Sequence, residues 1–538
     1  MLEILRKRRS IISLVVTVQL ILSLAGCGTT DTIGGAKNVI LVVADGMQLE
    51  HERAAGNYLY GAPEGALQHQ KYNYKGAAST WDVTTYNRYA FAAYSSNGFS
   101  SRRYSDATVN LDNLATFDPA LGYNPAKGGK LPYRQDTTGQ TGYFGTKIKD
   151  SSTGTAKYPA TDSASAGTAL ATGFKTDDGN IAWRSGDPAN GRLASIAEMY
   201  RNQKKASIGV VSTVPFSHAT PAAFVSHNTN RNNYQAIAQE IITVSRPEVV
   251  IGGGNPNFND PAGITGPAAY QYVDAADYAA LKGSTEYTFI ERKAGVDGGT
   301  ALSGAADAAA AGNKKLFGLF GGAGGSFEYH KPSNDGTSQI TRGSIENPTL
   351  ADAAKAALKV LGKNRNGFFL MVEQGDIDWS NHANDYASMI GGIWDLNEAI
   401  KSIEAYVDQS GDDVTWDNTM LIVTSDHGNS YMRLAKDLAK GSLPKQNPIS
   451  DGGAPAGYDS SVGYYYDPTE VTYGFAGKGV NSHSNELVTL YGKGAGLSQL
   501  SAYQGLWYPG TTIVDNTQIF KAMLGALGLI DDNRIKAN

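Results

Sequence analysis

The 538-residue sequence has a single cysteine, Cys27. No intramolecular disulfide can form, which is unusual for an exported chain. Histidine is also scarce, with eight in all. An excess of positive charge is missing as well. The net charge is −5 and the isoelectric point about 5.9, whereas nucleic-acid binders are usually basic, so no nucleic acid is expected as a specific partner. There is no Gly-x-Ser-x-Gly elbow, which argues against an ordinary serine esterase. A Walker-type phosphate loop is absent too, and no internal repeat is visible. The apolar run at 11–24 has 14 residues, short of the ~20 that a membrane-spanning helix needs. What the chain has in quantity is glycine, 63 residues, and tyrosine, 30. That mixture points to long, ordered, aromatic-rich loops, because disordered chains are poor in aromatics.

The single cysteine is explained by its position. Arg6, Lys7, Arg8 and Arg9 form a basic stretch ahead of the apolar run, and together they read as a signal peptide. Leu-Ala-Gly-Cys at 24–27 resembles a bacterial lipobox. The resemblance implies cleavage before Cys27 and attachment to a membrane through lipid on it. With Gly28 next, it also favours the outer membrane, at the periplasm or cell surface. The expected organisation is a lipoprotein signal peptide at 1–26, the lipidated cysteine with a flexible tether at 27–37, and one domain at 38–535.

Continuous apolar runs recur at 38–44, 206–212, 248–252, 315–320, 367–373 and 419–425. Unbroken rather than alternating apolar character fits strands buried on both faces. Helical patterns lie between them at 193–202, 234–242, 349–362 and 386–407. Strands alternating with helices predict an α/β fold with a large, mostly parallel sheet. Two stretches break the rhythm, near 55–157 and 440–479, both rich in Tyr, Gly, Ser and Asn. They read as loop-rich insertions, either functional or surface decoration.

Polar residues gather at the carboxyl ends of the predicted strands, the edge where open α/β sheets bind ligands. Asp45 follows the first strand, Glu373 ends another, and Asp426 and His427 follow a third. Asp378 and His382 are four apart and share one face if helical, although such pairs are more often solvated surface. His483 lies in a polar segment ahead of another apolar run. Imidazole with carboxylate suits zinc. Six such ligands would hold two ions, and a pair ~3.5–4 Å apart clamps the attacking and leaving oxygens of a phosphoryl transfer. Thr-Asp-Ser-Ala-Ser at 161–165 opens a run of small, helix-compatible residues. A hydroxyl at such a helix N-terminus is placed to attack a bound phosphorus. Asp and Ser are also common as plain helix caps, and the segment alone favours that plainer reading.

In this order the pieces resemble the bacterial and animal alkaline phosphatases, from about residue 38 to 529 with the two insertions outside. The motifs are Val-Ala-Asp-Gly-Met at 43–47, Thr-Asp-Ser-Ala-Ser at 161–165, His-Ala-Thr-Pro-Ala-Ala at 218–223 with Arg231, Val-Glu-Gln-Gly-Asp-Ile-Asp at 372–378 with His382, Thr-Ser-Asp-His at 424–427, and His483. The segment 515–520 looks like the family's closing helix. The resemblance implies hydrolysis of small-molecule phosphate monoesters, with Ser163 as a nucleophile that forms a phosphoseryl intermediate. It implies a first zinc on Asp378, His382 and His483 and a second on Asp45, Asp426 and His427. A magnesium would sit on Asp45, Thr220 and Glu373, an oxygen set suited to a hard ion. Arg231 would grip phosphate, oriented by Asp162. Some members carry Asp and Lys where this chain has His218 and Trp379, so His218 would retune the magnesium site and Trp379 would weaken product binding. A homodimer is implied as well.

The runner-up is a phosphodiesterase of the same superfamily. Against it stands Arg231, which matches a grip on a doubly charged monoester. A third reading is a non-catalytic surface lipoprotein that binds through its tyrosine-rich insertions. Of the other histidines, His227 is expected to be packed or hydrogen-bonded, and His51, His69 and His330 to lie in loops. Arg102 and Arg103 read as a solvated surface pair.

Overall fold

The computed structural model describes residues 35–86, 118–132, 160–258, 268–322, 330–409, 411–447, 463–474 and 482–535, with 324, 325, 327 and three short strand pieces at 148–149, 156–157 and 458–459. The expected signal peptide, Cys27, most of the tether and Arg102-Arg103 lie outside the described residues. No described helix is long and apolar enough to cross a membrane.

The first strand, β1 (Asn38–Ala44), is buried along its whole length. Val39, Leu41 and Val43 pack into one apolar layer, and Ile40, Val42 and Ala44 into the layer on the opposite face. Successive side chains of a strand point to opposite faces, so a strand covered on both sides must be apolar without interruption. That is the physical reason for the unbroken runs in the sequence.

The remaining sheet strands are β2 (Tyr74–Ser79), β3 (Ser207–Pro215), β4 (Val249–Gly253), β5 (Tyr287–Glu291), β6 (Lys315–Leu319), β7 (Phe368–Gln374), β8 (Thr419–Thr424), β9 (Val488–Gly494) and β10 (Ile513–Asp515). Their order in the ten-stranded sheet is β10-β2-β9-β8-β1-β7-β3-β4-β6-β5. Seven neighbours, from β8 to β5, are mutually parallel, and β9 runs against both β8 and β2. The order places β8, β1, β7 and β3 side by side at the centre. The chain loops that leave their carboxyl ends therefore meet in one place.

Helices cover both faces. Leu350–Leu361 and Tyr386–Asp408 line one layer; Ser163–Thr172, Ala219–Val225 and Asn516–Ala526 line the other. The sequence boundaries agree closely with the observed ones for the six predicted strands. One predicted helix, 234–242, is shorter, Tyr234–Glu240, and runs into a wider turn at Ile241–Ser245. The stretch read as a first insertion does not leave the body at residue 55. The helix Leu49–Tyr60 packs beneath the sheet, and β2 is a full sheet member between β9 and β10. Its sequence, Tyr-Lys-Gly-Ala-Ala-Ser, is short and weakly apolar because it lies near the sheet's edge, so it gave no strand signal.

Of the three histidines expected in loops, His51 lies on a helix and His69 in a single helical turn, while His330 does lie outside helices and strands, and all three are buried. His51 lies on the helix Leu49–Tyr60 with its Nδ1 accepting from the backbone of Gln48 at 3.2 Å. His69 packs edge-on to Tyr491 beside the buried Glu52, 3.5 Å away. His330 faces Asp395 at 3.6 Å under Trp394.

Candidate active site

Asp162 caps the helix Ser163–Thr172. Its Oδ1 accepts from the Ser165 amide at 2.9 Å and the Ser165 hydroxyl at 2.7 Å. Its Oδ2 accepts from Arg231 Nη1 at 2.9 Å and from the Gly179 amide at 3.1 Å. One carboxylate thus ends a helix and aims a guanidinium. Burial opposes its charge, but Arg231 and the Ser165 amide override burial and hold its pKa down at about 2. Ser163, the first helical residue, is 2% exposed. Its Oγ lies 3.1 Å from His427 Nε2. Both the cap and the anion-favouring helix end are therefore real.

Around Ser163 the strand ends deliver their polar residues. His427 Nε2 is 3.3 Å from Asp45 Oδ1 and 3.3 Å from Asp426 Oδ2. The His427 ring stacks on His483, with centroids 3.6 Å apart. His483 Nε2 is 3.1 Å from His382 Nε2 and 3.5 Å from Asp378 Oδ1. His382 Nε2 is 3.3 Å from Asp378 Oδ2, because the helix Asp376–His382 puts the two on one face. One atom from each of Asp45, Asp426 and His427 falls within 4.8 Å of the others, and the same holds for Asp378, His427 and His483. His427 is common to both groups, and His382 adjoins the second.

Beneath them, Glu373 accepts from Ser212 at 2.5 Å through one oxygen. Its other oxygen, Thr220 Oγ1, Asp45 Oδ1 and Asp426 Oδ2 are buried without a hydrogen bond of normal geometry. Burial raises the pKa of Asp45, with Asp426, Asp378 and Glu373 adding to it. Burial likewise pushes Glu373 up to about 7 and Asp426 up to about 6. For His427 and His483, burial lowers the pKa to about 4, leaving neutral rings with free lone pairs. Buried carboxylates crowded together with orphaned oxygens require a compensating cation. The nitrogen and oxygen donors suit zinc, and the oxygen-only set at Asp45, Thr220 and Glu373 suits magnesium. The residues present fit metal ions.

At the rim, His218 caps the helix Ala219–Val225 and stacks on Tyr234 at 5.8 Å, with Trp379 edge-on at 5.7 Å. Burial lowers the His218 pKa to about 3, so it is neutral. All thirteen residues singled out in the sequence thus lie in or against one site.

Several residues that build the site gave no sequence signal. Asn429 donates to Asp378 Oδ1 at 2.6 Å and fixes that carboxylate. It also pairs with His483 in a two-residue antiparallel ribbon, Gly428–Asn429 against His483–Ser484. Ser425 takes the Met47 amide at 3.0 Å and donates to the His427 carbonyl at 2.7 Å. The Thr161 carbonyl accepts from His483 Nδ1 at 2.7 Å, which leaves Nε2 facing the other ligands. These contacts join segments far apart in the chain, and spacing cannot reveal them. The nearest clue is Asn429, two residues beyond the Asp-His pair.

His227 anchors the segment that carries Arg231. Its Nδ1 meets Glu240 at 2.9 Å and its Nε2 lies 3.3 Å from Glu198 and 2.9 Å from the Leu193 carbonyl, with Arg192 also against Nδ1. Burial opposes protonation, but the two carboxylates override it and raise the pKa to about 9. A raised pKa means stability that is complete below about 6.5 and is lost as pH climbs through about 9. The linkage amounts to about 3 kcal/mol. Urea unfolding at pH 7 and pH 10 is expected to show that much extra loss in the native sequence relative to His227→Gln. Equal losses in the two proteins contradict the assignment.

A family model described as alkaline phosphatase matches residues 128–451. Alkaline phosphatase 4 of Bacillus subtilis (strain 168) is 31% identical over 280 residues, 50% of each chain; the matched segment thus spans half the length of that relative. The alkaline phosphatase of Escherichia fergusonii is 28% identical over 418 residues, 72% of this chain and 78% of that one. Among solved structures, a histidine-to-aspartate variant of alkaline phosphatase from the Antarctic bacterium TAB5, with magnesium bound in its M3 site, aligns with a TM-score of 0.54 at 22% identity. That alignment covers 93% of this chain and all of the other, and it bears on the fold.

Proposed function

The chain belongs to the alkaline phosphatase family, and on that premise we propose that it hydrolyses phosphate monoesters through a phosphoserine on Ser163. One observation carries the reading: a buried hydroxyl at a helix N-terminus stands 3.1 Å from His427, among two groups of metal-competent side chains. Asp378, His382 and His483 would hold one zinc, Asp45, Asp426 and His427 a second, and Asp45, Thr220 and Glu373 a magnesium. When bound, such ions supply positive charge to the transferring phosphoryl group and lower the pKa of hydroxyl and water.

In the first half-reaction the Ser163 Oγ–phosphorus bond forms as its proton leaves, and the bond from phosphorus to the ester oxygen breaks. The departing alkoxide then takes up a proton. In the second, a water oxygen bonds to phosphorus, the Oγ–phosphorus bond breaks, and Ser163 regains its proton. Arg231 holds two non-bridging oxygens throughout, kept in place by Asp162 and by its own amide bonded to the Gly179 carbonyl at 2.8 Å. The free backbone N–H groups at the start of the Ser163 helix add further positive potential. Buried, neutral His427 and His483 keep their lone pairs directed inward and help exclude bulk water. Export as a lipoprotein on Cys27 and assembly as a homodimer complete the proposal.

The direct test is p-nitrophenyl phosphate hydrolysis at alkaline pH by the chain starting after Cys27. Activity is expected to vanish with a zinc chelator and to return with zinc and magnesium. Faster turnover of bis-p-nitrophenyl phosphate would favour the diesterase instead, and a folded, metal-loaded protein inert on both would favour a binding role. Trp379 makes a separate prediction. It is half-buried on the same helix as Asp378, between His218 and Gly325. Trp379→Lys is expected to tighten inhibition by inorganic phosphate about ten-fold and to slow product release. Unchanged inhibition would dispose of a role for this position in phosphate retention.

A further inference from the structure

We propose that the pole of the molecule opposite the active site docks on a membrane surface rich in anionic lipid headgroups. The neighbouring strands β1, β7 and β3 start level, with β6 and β4 beginning one and two residues further along, as their register shows: Asn38 pairs with Phe368, Phe368 with Ser207, Gly209 with Val249, and Val249 with Leu316. Basic residues precede four of them. They are Lys37 before β1, Lys363 and Arg365 before β7, Lys204 and Lys205 before β3, and Lys314 before β6. Hydrogen bonds knit these strand feet together. Tyr200 Oη donates to the Lys37 carbonyl at 2.6 Å and to the Asn366 carbonyl at 3.1 Å, and Asn364 Nδ2 donates to the Lys205 carbonyl at 2.9 Å.

Some acidic groups here are paired, while Asp532, which accepts from Gln203 beside Lys204, and the exposed Asp412 and Asp417 offset part of the basic charge. Glu248 and Glu286 are taken by Arg201, Arg246 and Lys315. Asp413 lies 3.9 Å from Lys37, and Asp412 and Asp417 are exposed only at the foot of β8, where the basic run ends. Lys204, Lys205, Lys314, Lys363 and Arg365 are exposed and form no ion pair among the described residues. Strands ~4.8 Å apart make β1 to β6 about 19 Å wide. That is about two Debye lengths, so each charge meets a flat surface largely on its own and the contributions add along the pole. The whole chain carries −5, so attraction to anions depends on this distribution rather than on net charge.

On the proposed reading of Cys27 as a lipid site, on which this choice rests, the path of the chain favours a membrane as the partner. Ala36 and Lys37 donate to the Ala526 and Asn418 carbonyls, so residues before Gly35 join the body at this pole. Ser163 and Arg231 lie beyond the other ends of the strands. A seven-residue strand is about 23 Å long, and docking leaves the site open to solvent. Each Lys or Arg at an anionic bilayer contributes about five-fold in affinity.

The test uses the protein from Gly28 onward, which lacks both the apolar run and the lipid site but keeps every described strand and helix. It is floated with vesicles of equimolar phosphatidylglycerol and phosphatidylcholine, or of phosphatidylcholine alone. Salt-sensitive binding to the anionic vesicles only is expected, falling at least ~100-fold in Lys204→Glu/Lys205→Glu/Lys363→Glu/Arg365→Glu. Thermal melting of that variant shows that it folds, so the outcome does not depend on hydrolysis. The matching four-fold Gln variant is expected to lose less. Equal binding to both vesicles, undiminished binding by the Glu variant, or retention only by an anionic wall polymer would overturn the proposal.

Discussion

Ser163→Ala is expected to lower kcat/KM for p-nitrophenyl phosphate by on the order of 10³-fold or more, with melting temperature and metal content close to those of the parent. The reason is a division of labour at the helix start. Capping is done by Asp162, through Ser165, and not by Ser163. Among the described residues the only hydrogen bond of the Ser163 side chain is to His427 Nε2, and loss of one such bond costs about 1 kcal/mol. Removal of the hydroxyl therefore leaves the helix, the Arg231–Asp162 pair and the candidate ligand groups standing and takes away the proposed nucleophile. Residual turnover would come from direct attack by water on a phosphate still held by Arg231. A variant within ten-fold of the parent would mean that some other group is the nucleophile.

Gly46→Ala is the second large effect. Gly46 follows Asp45 with φ of +69°, a left-handed conformation that an alanine adopts only with strain. An added Cβ would lie 2.7 Å from Asp378 Oδ1 and 2.8 Å from Asp378 Cα, inside contact distance, and on backbone that cannot turn aside. The Gly46 amide also donates to Asp426 at 3.3 Å, and its carbonyl accepts from Asn381 at 3.4 Å. One methyl group thus disturbs the segment that carries Asp45, the Asp378 carboxylate and the Asp426 contact together. A displacement of about 1 Å at such a site costs on the order of 10²-fold in rate. Zinc content measured after dialysis is expected to fall with the rate. Full activity with full metal would show that the β1 turn and the helix of Asp378 are free to separate.

The central part of the fold was legible because burial on both faces leaves a strong imprint. The runs at 38–44, 367–373 and 419–425 are apolar through their middles, with polar residues only toward the ends, since the layers on both sides exclude water. The outer part was not. β2, β9 and β10 are short or mixed in polarity, and β2 fell inside a stretch read as insertion. Polar residues at strand ends were visible as Asp45, Glu373, Asp426 and His427, and the sheet order explains why they meet. The contacts that orient them were invisible, because Asn429 reaches Asp378 and His483 only through a turn and a ribbon between distant segments. The helical placement of His51 and His69, and the burial of all three including the loop residue His330, were missed for a related reason. A histidine paired with a buried carboxylate or amide looks polar in sequence, and only the packed structure supplies its partner.

The covalent step is open to direct observation. The chain starting after Cys27, loaded with zinc and magnesium, is mixed with labelled phenyl phosphate and quenched in acid. Mass spectrometry then locates any phosphate. The mechanism predicts one labelled site, Ser163, lost in Ser163→Ala and after metal removal. Active enzyme that carries no label on Ser163, with single-step transfer to water shown by inversion at a chiral phosphorus, would contradict it.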